Sequence, residues 1–309
     1  MLKAGSSNVS IFNSRSLLTA LLGVGLSLSM ACGKTTQALV VVNSESQEQA
    51  ATQTSLSEMA EADVLYLGER HDSEADHQSQ LELIKAMHQE NPKLAIGLEM
   101  IQRPFQKPLD DYIAGKIDEA KLIELTEYEQ RWGFPWELYA PIFRYAREHK
   151  LPILALNTPR EVSKKIAREG LESLSEDELK YIPEISEIDT SNEAYRAYVT
   201  GAFGGHGAHG NFNFDNFFAA QVTWDETMAE AIANFKEKEP ETQVVVLAGQ
   251  GHVIYGFGIP SRVKRRLPEV QQKLVILNPS EGVKKQAIAT QDRLPIADIL
   301  WYGPSKSSP

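Results

Sequence analysis

Acid and base groups collect at the ends of short apolar runs in this chain. Val64-Leu65-Tyr66-Leu67 leads into Gly68-Glu69-Arg70-His71-Asp72, and Leu94-Ala95-Ile96-Gly97-Leu98 leads into Glu99. Ile153-Leu154-Ala155-Leu156 ends at Asn157, and Val244-Val245-Val246-Leu247-Ala248 is followed by Gly249-Gln250-Gly251-His252. Two carboxylates and two imidazoles brought together can hold a divalent metal ion, or can carry protons to and from a water molecule. Glu69, His71, Glu99 and His252 are therefore candidates for metal ligation and for acid–base catalysis, and no single spacing selects between the two. His77, six residues beyond His71, would point to a different helix face and is expected at the surface.

These groups can meet only if the runs that carry them are parallel strands of one sheet. Unbroken apolar runs of this length read as strands buried on both faces, and segments of helical character separate them: 73–90, 136–150, the stretch opened by Thr158-Pro159, and 215–236. The expected fold class is α/β, a central mostly parallel β-sheet flanked by helices on both faces, with ligands at the carboxyl edge of its strands. The convergence further requires the strand over 243–248 to lie beside the strand over 64–67. A strand is expected over 273–277, and 297–302 reads as an added edge strand. The polar, acidic stretch from Leu171 begins a helical lid or insertion, taken to span about 171–236.

On the long helical segment, Gln221, Trp224, Asp225 and Met228 share a face by three- and four-residue spacing. Polar groups within a packing face need partners, so Gln221 and Asp225, together with Asn157, are expected as polar support for the site. Tyr128, Trp132, Phe134, Trp136 and Tyr139 form an aromatic patch suited to core packing or to a pocket wall. Residues 201–212 hold five glycines together with His206 and His209. Ordering so glycine-rich a loop is costly, which suggests that it moves or wraps a ligand.

With 42 acidic and 31 basic residues, the chain has a formal net charge of −11. It lacks the phosphate-neutralising excess of a nucleic-acid-binding protein, and no nucleic-acid partner is expected. At the amino end, Lys3 and Arg15 precede an uncharged apolar run from Leu17 to Ala31, which matches the apolar region of a secretory signal. Cys32, the one cysteine of the chain, follows directly. This resembles a bacterial lipoprotein signal, in which the cysteine is lipidated, although Ser29 stands where such signals usually carry leucine. The expected organisation is a signal peptide over 1–31, a flexible tether over 32–58 anchored to a lipid bilayer through Cys32, and a single α/β domain over 59–309. The expected location is the cell envelope, after export, facing the periplasm or the exterior.

Five of these motifs, in order, carry a family resemblance: Gly68-Glu69-Arg70-His71, Gly97-Leu98-Glu99-Met100, Ala155-Leu156-Asn157, Gln221 with Trp224-Asp225-Glu226-Thr227-Met228-Ala229, and Gly249-Gln250-Gly251-His252 with Gly258-Ile259-Pro260. Over about residues 60 to 270 the chain resembles the ChaN-like haem-binding lipoproteins, which are related in fold to erythromycin esterases and the Tiki/TraB proteins. The resemblance implies a role in haem or iron uptake or storage, with haem held between two subunits of a homodimer. Haem requires an axial donor, apolar walls and partners for its propionates. On that implication the donor candidates are His206, His209 and Tyr255, and the wall candidates are Trp132, Phe134, Phe203, Phe212, Phe217 and Trp224. Arg131 and Arg262 are candidates for the propionates on charge alone. Similar sites in the wider superfamily serve hydrolysis or metal binding. The alternative is therefore a metal-assisted hydrolase, with Glu69 or Glu99 as base and a divalent ion on His71 and His252.

Overall fold

The structure is a computed structural model that describes residues 40–42, 49–203, 213–290 and 294–303. Its strands are β1 (Val40–Val42), β2 (Val64–Glu69), β3 (Leu94–Gln102), β4 (Ile153–Asn157), β5 (Gln243–Gly249), β6 (Gln272–Leu277) and β7 (Ile299–Trp301). They form one sheet in the order β1-β7-β6-β2-β5-β3-β4. Every pairing is parallel, so the carboxyl ends of the strands share an edge, as the site argument needs. The helices are α1 (Gln49–Ala60), α2 (Glu74–Glu90), α3 (Gln106–Ile113), α4 (Glu119–Thr126), α5 (Tyr128–Arg131) and α6 (Trp136–His149), followed by α7 (Arg160–Glu169), α8 (Glu176–Leu179), α9 (Glu193–Phe203), α10 (Phe214–Lys238), α11 (Ile259–Arg266) and α12 (Glu281–Thr290).

Side chains alternate across the sheet, as the two-residue period of a strand dictates. Leu65, Leu67, Val245, Leu247 and Leu98 pack on one face with Leu83, Ile84 and Met87 of α2 and Tyr139 and Phe143 of α6. Val64, Tyr66, Val244, Val246 and Ile276 pack on the other with Met228 and Ile232 of α10 and Val263 of α11. A smaller cluster joins Val162 and Ile166 of α7 to Tyr195 and Val199 of α9 and to Phe218 and Val222 of α10.

Three expectations change here. Residues 32–58 were expected to be a tether, yet they contain β1, which pairs with β7, and most of α1. The run Val40-Val41-Val42 is short but β-branched, and it completes the sheet beside β7. For the same reason β7 is not an edge strand. The stretch 171–236 includes nearly all of α10, which is a principal layer of the fold and not an insertion, since its Met228 and Ile232 are core side chains. The proposed signal and Cys32 lie outside the described residues.

Candidate functional site

The three strands that carry the ionisable residues are neighbours. β2 pairs with β5, with Glu69 opposite Gly249, and β3 pairs with β5 on its other side. Between Leu98 and Gln102 the register of β3 shifts against β4. Such a bulge re-aims side chains, and Glu99 lies within it.

Glu69 is buried beneath α2 and α6. Its Oε1 accepts a hydrogen bond from the Tyr139 hydroxyl at 2.6 Å and from His71 Nδ1 at 2.7 Å; its Oε2 accepts one from the Gln80 amide. His77 Nδ1 stands 3.4 Å from the same oxygen. Burial pushes this carboxyl up, but the hydrogen bonds and charge of His71 and His77 outweigh it and hold the group at about 2. His77 is buried and not at the surface. It donates to the Gln80 carbonyl at 3.1 Å and to the backbone oxygen of His71 at 3.1 Å. Burial works against its charged form, but Glu69 prevails and raises it above the usual histidine range.

A second arm mirrors the first. His252 Nδ1 donates to Asp225 Oδ1 at 2.7 Å, and the Tyr195 hydroxyl donates to Asp225 Oδ2 at 2.7 Å. Gln221 donates to the Tyr195 oxygen at 3.2 Å, and its amide lies 3.0 Å from His252 Nδ1. The two arms meet on Glu99, whose Oε1 is 4.0 Å from His71 Nε2 and 3.5 Å from His252 Nε2. Its Oε2 accepts the backbone N–H of Gly249 at 2.6 Å. Burial disfavours the His252 imidazolium, but Glu99 and Asp225 outweigh burial and raise it to about 9. His71 is likewise pulled down by burial and carried upward by Glu99 and then Glu69. Each imidazole is thus oriented through Nδ1 by its own carboxylate and presents Nε2 to a shared one.

Two glycines permit this approach. A Cβ on Gly249 would stand 2.8 Å from His71 Nε2, and one on Gly258 would stand 2.3 Å from the His252 carbonyl oxygen. Asn157 closes the strand end, donating from its amide to the Glu99 backbone oxygen at 2.9 Å. At the root of α2, Asp76 accepts the Arg70 N–H at 2.8 Å and the Asn278 amide at 3.0 Å, which pins the turn that carries His71.

Above Glu99 opens a cleft of about 320 Å³, within the range of roughly 300–1,000 Å³ typical of small-molecule sites. Trp132 stands on one side, edge-on to His71 with ring centroids 4.8 Å apart. Trp224 stands on the other, 5.9 Å from His252, with its indole N–H bonded to Ser163. Phe217, Ala220, Gln221 and Asn157 continue the lining, and Arg131, Arg160 and Lys164 supply cations. Thr158 also lines the cleft, and its buried hydroxyl has no hydrogen-bond partner. Leaving such a group unpaired costs about 1–3 kcal/mol.

The expected metal site is not borne out. Among the described residues, no group of three or more His, Cys, Asp or Glu side chains is placed to hold a metal ion. The reason is visible in the bonding: Glu69 is engaged by three donors, both Nδ1 atoms are taken, and the two Nε2 atoms face one oxygen. Arg262 is also reassigned. It is buried in an ion pair with Glu226, 3.1 Å away, and donates to the Gly258 backbone oxygen at 2.9 Å, so it holds the loop beside His252 and does not reach the cleft. Tyr255 adopts a left-handed backbone (φ 58°) and packs its ring on Tyr198 and Phe257, outside the cleft lining. Trp136 belongs to the core, and Phe134 packs against His71. His206, His209 and Phe212, and the side chain of Phe203, lie outside what the structure describes.

Sequence reasoning missed Gln80 and Tyr195, the bond of Tyr139 to Glu69 and the true place of His77. The signal was present: His77 and Gln80 share a stripe with Ile84 and Met87 at three- and four-residue spacing, as Tyr139 does with Trp136 and Phe143.

Comparison with known proteins places the chain in a family. Residues 55–263 match the family model described as haem-binding uptake, Tiki superfamily, ChaN, and the chain belongs to that family. A solved structure described as cofacial haem binding to ChaN of Campylobacter jejuni superposes with a TM-score of 0.59 at 21% identity, covering 74% of this chain and 86% of that one. An erythromycin esterase mutant in its open conformation aligns at 14% identity with a TM-score of 0.44, covering 74% of this chain and 72% of that one. The chloroplastic protein RETICULATA-RELATED 5 of Arabidopsis thaliana is 26% identical over 260 residues, 79% of this chain. The chain spans only about a third of that relative, 34% of its length.

Proposed function

We propose that this protein binds haem in the cleft above Glu99 and acts in haem or iron uptake or storage. The observation that carries the reading is the cleft itself, with two indoles and Phe217 as flat apolar walls and Arg160 and Lys164 for carboxylates. Residues of these types fit a flat, apolar macrocycle that bears propionates. When bound, haem supplies an iron centre; the chain supplies the walls, the propionate partners and an axial donor. With Tyr255 outside the cleft, His206 and His209 are the donor candidates. The amino-terminal signal and Cys32 support delivery to the bacterial cell envelope with a lipid anchor. In this reading the haem-loaded protein is a homodimer, with haem held between the two subunits.

Titration of the purified protein with haemin is expected to give a shifted Soret band, saturating at micromolar haem, together with quenching of tryptophan fluorescence. Sedimentation should show the dimer forming as haem is added. An unshifted Soret band throughout the micromolar range would defeat the reading.

The paired arms on Glu99 favour a second reading, acid–base hydrolysis. Each imidazole is fixed through Nδ1 by a buried carboxylate and turns Nε2 to Glu99, which itself lines the cleft, an arrangement that can pass protons to and from a group bound there. On this reading Glu99 is the base and the His252 imidazolium the acid. Glu99→Gln is then expected to abolish turnover of an ester panel while leaving haemin binding in place. If the parent protein turns over no ester, this second reading fails.

A further inference from the structure

We propose that the amino end of α7 is a carboxylate-binding subsite of the cleft, formed by Thr158, Arg160 and Lys164, and that it takes the acidic edge of a flat ligand lying against Trp224. The identity of the ring rests on the haem reading; the subsite does not. The first observation is the Thr158 side chain, 2% exposed, which lines the cleft with a hydroxyl that has no partner in the protein. Its backbone is fixed, because its N–H donates to Asn157 Oδ1 at 2.8 Å and Asn157 is in turn tied to Glu99.

The second observation is the helix. α7 has ten residues and starts at Pro159-Arg160 with no side-chain cap on its first turn. The first turn of a helix presents unsatisfied N–H groups and a partial positive charge, both of which favour an anion. Glu161 covers its own N–H with its own carboxylate and is ion-paired with Arg131, so Arg131 is already committed. Arg160 donates to the Gln130 backbone oxygen and keeps its charge exposed. Lys164, one turn further along, is exposed and has no ion pair among the described residues. A chain with a net charge of −11 thus places two exposed cations and an orphan hydroxyl at one corner of its cleft. A hydrophobic binding surface alone would need neither.

The test uses two pairs of probes on the full protein: haemin against its dimethyl ester, and 1-pyrenebutyrate against 1-pyrenebutanol, each read by tryptophan quenching. Within each pair the carboxylate form is expected to bind about tenfold more tightly, the worth of one charge-assisted hydrogen bond. Thr158→Val and Lys164→Gln should each weaken the carboxylate form several-fold and leave the masked form unchanged. Thr158→Val should also unfold at the same or higher denaturant concentration, because it removes a polar group that had no partner. Equal affinity for acid and masked probe, or carboxylate binding indifferent to both substitutions, overturns the subsite. If pyrenebutyrate shows the pattern and haemin does not bind, the subsite stands and the haem reading falls.

Discussion

Replacement of Glu69 by glutamine is expected to destabilise the protein by roughly 3–5 kcal/mol, the cost of leaving buried charges without their partner. The carboxylate is 1% exposed and is the common acceptor for Tyr139, His71 and Gln80, with His77 at 3.4 Å. A glutamine at this position offers one oxygen where three donors converge, and its amide protons face the Gln80 amide or the Tyr139 hydroxyl. It also removes a charge that favours the imidazolium forms of His71 and His77, so the protonated form of each loses a counter-charge. Tyr139→Phe, which removes one donor and leaves the carboxylate, should cost only about 1 kcal/mol. Because the two residues share a bond, the double variant should cost less than the sum of the singles. Urea unfolding of the three variants measures all of this, and a Glu69→Gln protein within about 1 kcal/mol of the parent would show that the hub is not what stabilises this edge of the sheet.

The positions of Glu69, Glu99, Asn157 and His252 were legible because each ends an apolar run, and parallel strands deliver their ends to one edge. The order of the strands was not legible. β5 lies between β2 and β3 although some 140 residues of chain separate it from β3, and nothing local encodes that return. That the described residues form no metal-binding cluster has a related reason. Composition supplied two carboxylates and two imidazoles, but whether their lone pairs are free depends on Tyr139, Gln80 and Asp225. Those residues arrive from α6, α2 and α10, helices far apart in the chain. Arg262 shows the same limit. An arginine beside a glycine turn suggests an anion partner, and here the anion is Glu226 of α10. The amphipathic stripe of α2 could have placed His77 correctly, because its spacing from Ile84 and Met87 is the spacing of a buried face.

The second large effect is one of pH. His252 is fully enclosed, and Glu99 and Asp225 raise it to about 9, from an ordinary value near 6.5. A group whose folded value lies above its unfolded value binds more protons when folded, so stability falls as pH rises between the two values. The contribution is fully present below about pH 6.5 and gone above about pH 9, and a shift of that size corresponds to about 3 kcal/mol. His71 and His77, both raised, steepen the loss in the same direction. Glu69 acts at the other end: held at about 2, its contribution is complete above about pH 4.5 and is lost only as pH falls toward 2. Stability should therefore hold a plateau between about pH 4.5 and 6.5 and then decline through mild alkali, with no cysteine or metal required for the effect. In His252→Asn the alkaline decline should become shallower, and the protein should be weaker at pH 6 by the interaction it has lost. Unfolding midpoints measured from pH 5 to 10 decide the matter. A parent protein equally stable at pH 6 and pH 9 would mean that His252 is neutral in the fold, and Glu99 would then stand opposite an imidazole with no charge to offer it.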